Sequence, residues 1–142
     1  MGVTLNFNFL NRFQPFAQLV MRLVLGAIMI SHGYPKVFHG FHRVQGMVVS
    51  LGFPSWMAYL LAAVEFFGGI AIVLGLFTRF FSLAFVIDMG VAIWKVHFKN
   101  GLTGPGGYEF PMAAATIALA LACFGGGPWG LNFSRSGGGK KA

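Results

Sequence analysis

Four apolar runs, at 16–34, 55–77, 80–98 and 108–124, dominate this chain. Each approaches the roughly 20 residues that a helix needs to cross a bilayer. In lipid the backbone must satisfy its own polar groups, so runs of this kind fold as helices. Into them the sequence sets Arg22, Glu65 and Asp88, with Glu109 at a segment edge. A charge in lipid is costly, so such residues face other helices and pair there. The feature implies an all-α, polytopic membrane four-helix bundle and says where to look for a site.

The composition agrees. The 142 residues are 56% hydrophobic and only 9% charged, against roughly a quarter charged in soluble domains. Mean hydropathy is +0.73. The net charge of +7 raises the question of nucleic acid. The basic residues sit in loops and tails, with no basic stripe or aromatic-interleaved groove, so nucleic acid is not an expected partner. Cys123 is the only cysteine. It excludes an internal disulfide and a paired-cysteine redox couple, and reads as a small apolar helix residue.

The N-terminus lacks a charged stretch followed by a short apolar core and a small-residue cleavage site. We expect an interfacial segment at 1–15 and a permanent anchor in the first run. The membrane domain is expected at 16–132, followed by a flexible, basic, Gly-rich tail at 133–142. Thr78-Arg79 is the short link between the second and third runs, which predicts an antiparallel helical hairpin. Between the first two runs, at 36–54, Phe41, Val44, Val48 and Leu51 recur at three- and four-residue steps. That is an amphipathic pattern, stopped by Gly52 and Pro54, and it predicts a short interfacial helix.

Four spans put both termini and the Thr78-Arg79 turn on one side. That side carries Arg12, Arg79, Arg135, Lys140 and Lys141, and the other carries Lys36, Arg43, Lys95 and Lys99. The bias is slight and favours cytoplasmic termini. Small residues mark packing faces: Gly26 and Gly33 in the first run, Gly68 and Gly69 beside Glu65, and Ala114, Ala118 and Ala122 in the last.

At about 1.5 Å per residue, Arg22 lies about 9 Å deep from the terminal side and Asp88 about 12 Å. An Arg22–Asp88 ion pair is therefore expected. Glu65 lies about 18 Å deep and His32 about 24 Å. Glu65 is expected to line an internal pocket with Lys36 or His32. Asp88 and Lys95 stand two turns apart on one predicted helix face. The whole set predicts a polar column opening on the far side near His32, Lys36, Glu109 and Lys95. It reads either as ion pairs that fix helix order or as a site for a polar headgroup or a proton relay. His32, His39, His42 and His97 fall on the far side, but no ligand set is complete, and no metal is expected.

Three stretches carry a resemblance: RLVLGAIMISHGYPK from Arg22, EFFGGIAIVLGLFTR from Glu65, and Glu109 opening the last run before GGGPWGLN. The chain resembles the DoxX family of small bacterial inner-membrane proteins over about residues 22–132. The resemblance implies a four-helix membrane bundle without a cofactor motif of its own. Family members are tied to quinone-linked thiosulfate oxidation or to membrane redox and stress complexes. By resemblance, Arg22, Lys36, Glu65 and Glu109 match polar positions usual in the family. Asn132 stands where many relatives carry an acid, and the chain lacks paired cysteines.

The resulting expectation is a multi-pass inner-membrane accessory subunit of a quinone-linked redox assembly. It has no catalytic motif of its own, and bound quinone is the expected cofactor. The bilayer and a membrane-protein partner, or further copies of the chain, are the expected partners. Two other readings stay open: a purely structural subunit and a small proton-coupled carrier using Glu65 and Asp88.

Overall fold

A computed structural model describes residues 7–131. The expected basic tail at 133–142, Asn132 and residues 1–6 lie outside the described residues. Every regular element among those described is helical. A 3-10 turn, Asn8–Phe13, leads into α1, Gln14–Phe38. Then come α2, Phe41–Ser50, and α3, Met57–Leu74. Helix α4, Thr78–Ala92, continues through a π-helical turn, Ile93–His97, and a 3-10 turn, Phe98–Asn100. The last helix is α5, Glu109–Phe124.

Three of these rods are long and apolar enough to cross a membrane: Asn8–Phe38, Met57–Leu74 and Thr78–Asn100. Helix α5 has 16 residues, a length of about 24 Å. Large apolar side chains such as Phe67, Phe80, Leu83 and Ile87 are exposed along the rods. Aqueous solvent would penalise that surface, whereas lipid does not.

The hairpin turn sits earlier than the apolar runs imply. Helix α3 stops at Leu74, and Thr78-Arg79, expected as the link, instead opens α4. Gly75 is the reason. It takes φ 77°, and the N–H groups of Gly75 and Leu76 bond the carbonyls of Ile72 and Ala71 at 3.0 and 2.8 Å. This is a glycine-stopped helix end. The turn is then Gly75-Leu76-Phe77.

Packing is closest between α1 and α3 and between α4 and α5. One core cluster draws on all four rods: Leu25 and Met29 from α1, Ile72 from α3, Phe85 from α4, and Ala114, Ala118 and Leu121 from α5. The α1–α3 seam is backbone against backbone. A Cβ on Gly33 would lie 2.5 Å from the Phe66 amide nitrogen, and one on Gly69 would lie 3.0 Å from the Gly26 carbonyl oxygen. Small residues permit this approach where lipid supplies no hydrophobic drive. Helix α2 buries Val44 and Val48 against Ala58, with Phe41, Met57 and Leu61 around them. The apolar positions are those of the amphipathic pattern.

Candidate polar centre between α1, α3 and α4

Gly33 determines where α1 and α3 touch, and the touching point is Glu65-Phe66. Lys36, three residues further along α1, therefore reaches Glu65. Its Nζ donates to Glu65 Oε1 at 2.5 Å. The Glu65 side chain is 4% exposed and that of Lys36 20%, so the pair is largely withdrawn from solvent. Asp88 joins it from α4, within electrostatic reach of both, its carboxyl in hydrogen-bonding range of that of Glu65. The helix ends explain the meeting: Glu65 lies nine residues before Leu74 and Asp88 ten after Thr78. At about 1.5 Å per residue these depths agree within about 2 Å.

One ammonium balances one carboxylate. The second carboxyl needs a hydrogen-bond donor, and none comes from the described side chains. Glu65 Oε2 and Asp88 Oδ2 are both buried and without a partner among the described residues. A lysine ammonium has three donors, and only one of Lys36's goes to Glu65. Lys36 also lines a cavity of about 390 Å³ at the α1–α2 corner. Ser31, His32, His39, Arg43 and Met47 form much of the rest of that wall. Pro35 contributes by lacking the amide that would bond the Ser31 carbonyl one turn back. The cavity mouth is therefore cationic and amphipathic, with the acidic pair behind Lys36.

Arg22 does not pair with Asp88, contrary to the depth argument. Its guanidinium donates instead to three backbone carbonyls: Nε to Ile72 at 3.0 Å, Nη1 to Gly126 at 2.9 Å and Nη2 to Val73 at 2.6 Å. Two of these are last-turn carbonyls of α3, where the regular helical ladder runs out, and that of Ile72 also accepts the Gly75 N–H. The third belongs to the Gly-rich segment after α5. Arg22 thus ties that segment to the end of α3, beside the Leu131 N–H bond to the Leu74 carbonyl at 3.0 Å. Residue counting from the apolar run placed Asp88 too shallow, because α4 begins two residues earlier than the run at 80–98.

Lys95, Glu109 and His32 are not part of the centre, so the continuous polar column is not formed. The π-helical turn over Ile93–His97 advances fewer degrees per residue than an α-helix. It carries Lys95 off the Asp88 face, and its Nζ stands 4.2 Å from the Trp94 ring and 5.7 Å from that of Phe53. Glu109 is the first residue of α5 and exposed, where a carboxylate favours the helix dipole. His32 is exposed, borders the cavity, and has its ring 6.0 Å from Phe110. Among the described residues no three His, Cys, Asp or Glu side chains gather as metal ligands.

The DoxX family model matches residues 17–98. This chain belongs to the DoxX family. The matched stretch holds Arg22, Lys36, Glu65 and Asp88 and ends before Glu109. This DoxX chain is 32% identical over 112 residues to a Bacillus subtilis (strain 168) protein named "Putative oxidoreductase CatD", covering 79% of this chain and 83% of that one. It is 30% identical over 132 residues to "Inner membrane protein YphA" of Escherichia coli (strain K12), covering 86% and 91%. An uncharacterized protein of Haemophilus influenzae is 28% identical over 106 residues, 75% of each chain. No solved structure matches. Family and apolar rods together make this DoxX chain a membrane protein.

Gly26 and Gly33, expected to mark a packing face, do so against the α3 backbone. The Gly126 carbonyl as Arg22's partner is not among the sequence expectations, although a Gly-rich stretch after the last run leaves carbonyls free to meet a buried arginine.

Proposed function

We propose that this chain is a four-span, multi-pass protein of the bacterial inner membrane that serves a quinone-linked redox assembly as an accessory subunit. In this reading α1, α3, the long α4 rod and α5 cross the bilayer as a four-helix bundle. Helix α2 lies at the interface, and both termini are cytoplasmic. The names of the Escherichia coli and Bacillus subtilis relatives, "Inner membrane protein YphA" and "Putative oxidoreductase CatD", support the location and the redox association.

The observation that carries the reading is the Lys36–Glu65–Asp88 centre. It sets one cation against two carboxyls, leaves Glu65 Oε2 and Asp88 Oδ2 without donors among the described residues, and opens through Lys36 to a cavity. A quinone ring fits this donor set. Lys36 has ammonium hydrogens free for a carbonyl oxygen, and His32 and His39 stand on the same wall. A bound quinone supplies two-electron acceptance coupled to proton uptake. The chain itself binds and orients the ring through Lys36 and holds a proton between Glu65 and Asp88.

Native mass spectrometry of the protein gently extracted from its own membranes tests the reading. A retained quinone and a co-purifying oxidoreductase subunit are expected, with the quinone lost in Glu65→Gln that is still folded and inserted. Retained protein partners with no quinone, in wild type as in the variant, overturn it in favour of a purely structural subunit. Proton-dependent flux of a solute into liposomes containing only this chain overturns it in favour of a carrier.

A further inference from the structure

The Lys36 centre sets two carboxyls against one ammonium. The oxygens left over are Glu65 Oε2 and Asp88 Oδ2, both buried and without a partner among the described residues. Buried acceptors rarely go unsatisfied. The lysine or arginine nearest to Asp88 in sequence is Lys95, seven residues further along the same rod. Seven residues of α-helix rise about 10 Å. A helical lysine stem runs back toward the N-terminus of its helix, here toward Asp88. In an unbroken α-helix the two side chains would share a face. They do not, because Ile93–His97 is a π-helical turn.

That turn is loosely held. The Ile93 N–H is shared between the Met89 and Gly90 carbonyls. The Phe98 N–H donates to the Ile93 carbonyl, five residues back, where an α-helix would use that of Trp94. Conversion between the two registers therefore exchanges a backbone acceptor for its neighbour. Ahead of the turn, Gly90 is exposed, and a Cβ there would meet nothing within 4 Å; glycine favours a helix least of the residues that can donate to it. After the turn comes a loop with Gly101, Gly104 and Gly106 at positive φ, whose backbone freedom can absorb a change of register. The links from the turn to this loop are exposed: His97 Nδ1 and Asn100 Nδ2 both donate to the Gly106 carbonyl, at 2.7 and 2.8 Å. Lys95 is itself exposed, and rings are its seat, that of Trp94 at 4.2 Å and that of Phe53 at 5.7 Å. At an exposed site such a seat is weak.

We propose that the π-helical turn is a register switch, and that in its α-helical form Lys95 joins Glu65 and Asp88 as their second cation. π-Helical turns set into α-helices recur at functional sites, and this one separates a lysine from an acid that lacks a donor. The inference rests on the reading of the centre as a quinone site. When a quinone oxygen draws the Lys36 ammonium toward the cavity, Lys95 compensates the two buried acids in its place. Lys95 is thus a positioning residue, acting on the ligand through the acids.

The test uses the full chain in phosphatidylcholine nanodiscs, modified briefly with a charged, amine-reactive succinimidyl ester. Modification of Lys95 is quantified by mass spectrometry against that of Lys99, which is exposed on the same rod. Trp94→Leu removes the nearer ring of the seat. The switch predicts that Lys95 then turns to Asp88 and its modification falls several-fold, and that Trp94→Leu/Asp88→Asn restores it. Lys36→Met, which takes the resident cation from the acids, is expected to give the same fall, again reversed by Asp88→Asn. Trp94 is exposed by 67%, so Trp94→Leu keeps the test open where Lys36→Met does not fold; circular dichroism checks each variant. A fixed π-helical turn predicts the opposite sign, because removing the ring uncovers Lys95. Modification that is unchanged or raised in either folded single variant, or a fall that Asp88→Asn does not reverse, overturns the proposal. No quinone is present in these discs, so the result is read separately from quinone retention in the native protein.

Discussion

Lys36 Nζ and Glu65 Oε1 stand 2.5 Å apart across the α1–α3 seam, one turn from the place where Gly33 rests on the backbone of Phe66. The close approach and the ion pair are one device. The glycine brings the helices together, and the lysine stem then spans only the width of a side chain. Because the pair is largely buried, each member depends on the other more than on water.

Lys36→Met is expected to destabilise the protein by roughly 3–5 kcal/mol, the usual cost of leaving a buried charge unpaired. The double variant Lys36→Met/Glu65→Leu is expected to recover much of that loss, since no charge is then stranded. Unfolding in detergent, followed by tryptophan fluorescence over the four-member cycle, measures the coupling. Additive losses would mean that the two side chains do not act as a pair.

The seam itself is tested by two glycines. Gly33→Ala pushes a methyl into the Glu65-Phe66 backbone, so the helices must separate. A loss of about 1–3 kcal/mol is expected from such overpacking. Gly46→Ala in α2 meets nothing within 4 Å and is expected to stabilise by about 0.5–1 kcal/mol, the helix cost of glycine. Equal effects in thermal unfolding would remove the close-packing account.

The apolar rods and the α2 pattern were legible because periodicity and length are properties of residue type. Glu65 meeting Lys36 was legible as one of two alternatives, the other being His32, since a buried acid at that depth has few cationic partners within reach, and the structure gives Lys36. The partner of Asp88 was not legible. Depths counted from the edges of apolar runs misplace a residue whenever the helix starts or stops elsewhere, and Gly75 stops α3 three residues before its run ends. The position of Lys95 failed for a different reason. A π-helical turn changes which face a residue occupies and leaves no mark in hydropathy. The burial of Arg22 is legible in the sequence and its partners are not, because carbonyls are backbone groups that every sequence possesses.

The proposed topology has its own measurement. Four spans put Trp129 on the side of the termini and Gly104, between the α4 rod and α5, on the opposite side. In a Cys123→Ser background, Trp129→Cys and Gly104→Cys are expected to react with an impermeant maleimide from opposite faces of the membrane. Trp129→Cys reacts from the cytoplasmic face. Labelling of both from one face would reject the four-span arrangement.

Arg22 and Asp88 supply the last expectation, and it is one of independence. Arg22 is committed to the carbonyls of Ile72, Val73 and Gly126, whereas Asp88 lies with Glu65. Arg22→Ala removes three charge-assisted bonds and frees the segment after α5. It is expected to cost about 3 kcal/mol or more, given about 1.5–3 for each bond to a charged group and partial rescue by water at the helix end. Its signature is faster amide exchange of Gly130 and Leu131, whose N–H groups bond Gly127 and Leu74. Arg22→Lys keeps the charge but loses the planar fork, so it should restore stability only in part. Asp88→Asn should leave the exchange of Gly130 and Leu131 unchanged. The Arg22→Ala/Asp88→Asn double variant is expected to lose the sum of the single effects within about 0.5 kcal/mol. A coupling well above that would place the two side chains in one network and contradict the separation between the arginine latch at the α3 end and the acidic centre at mid-helix.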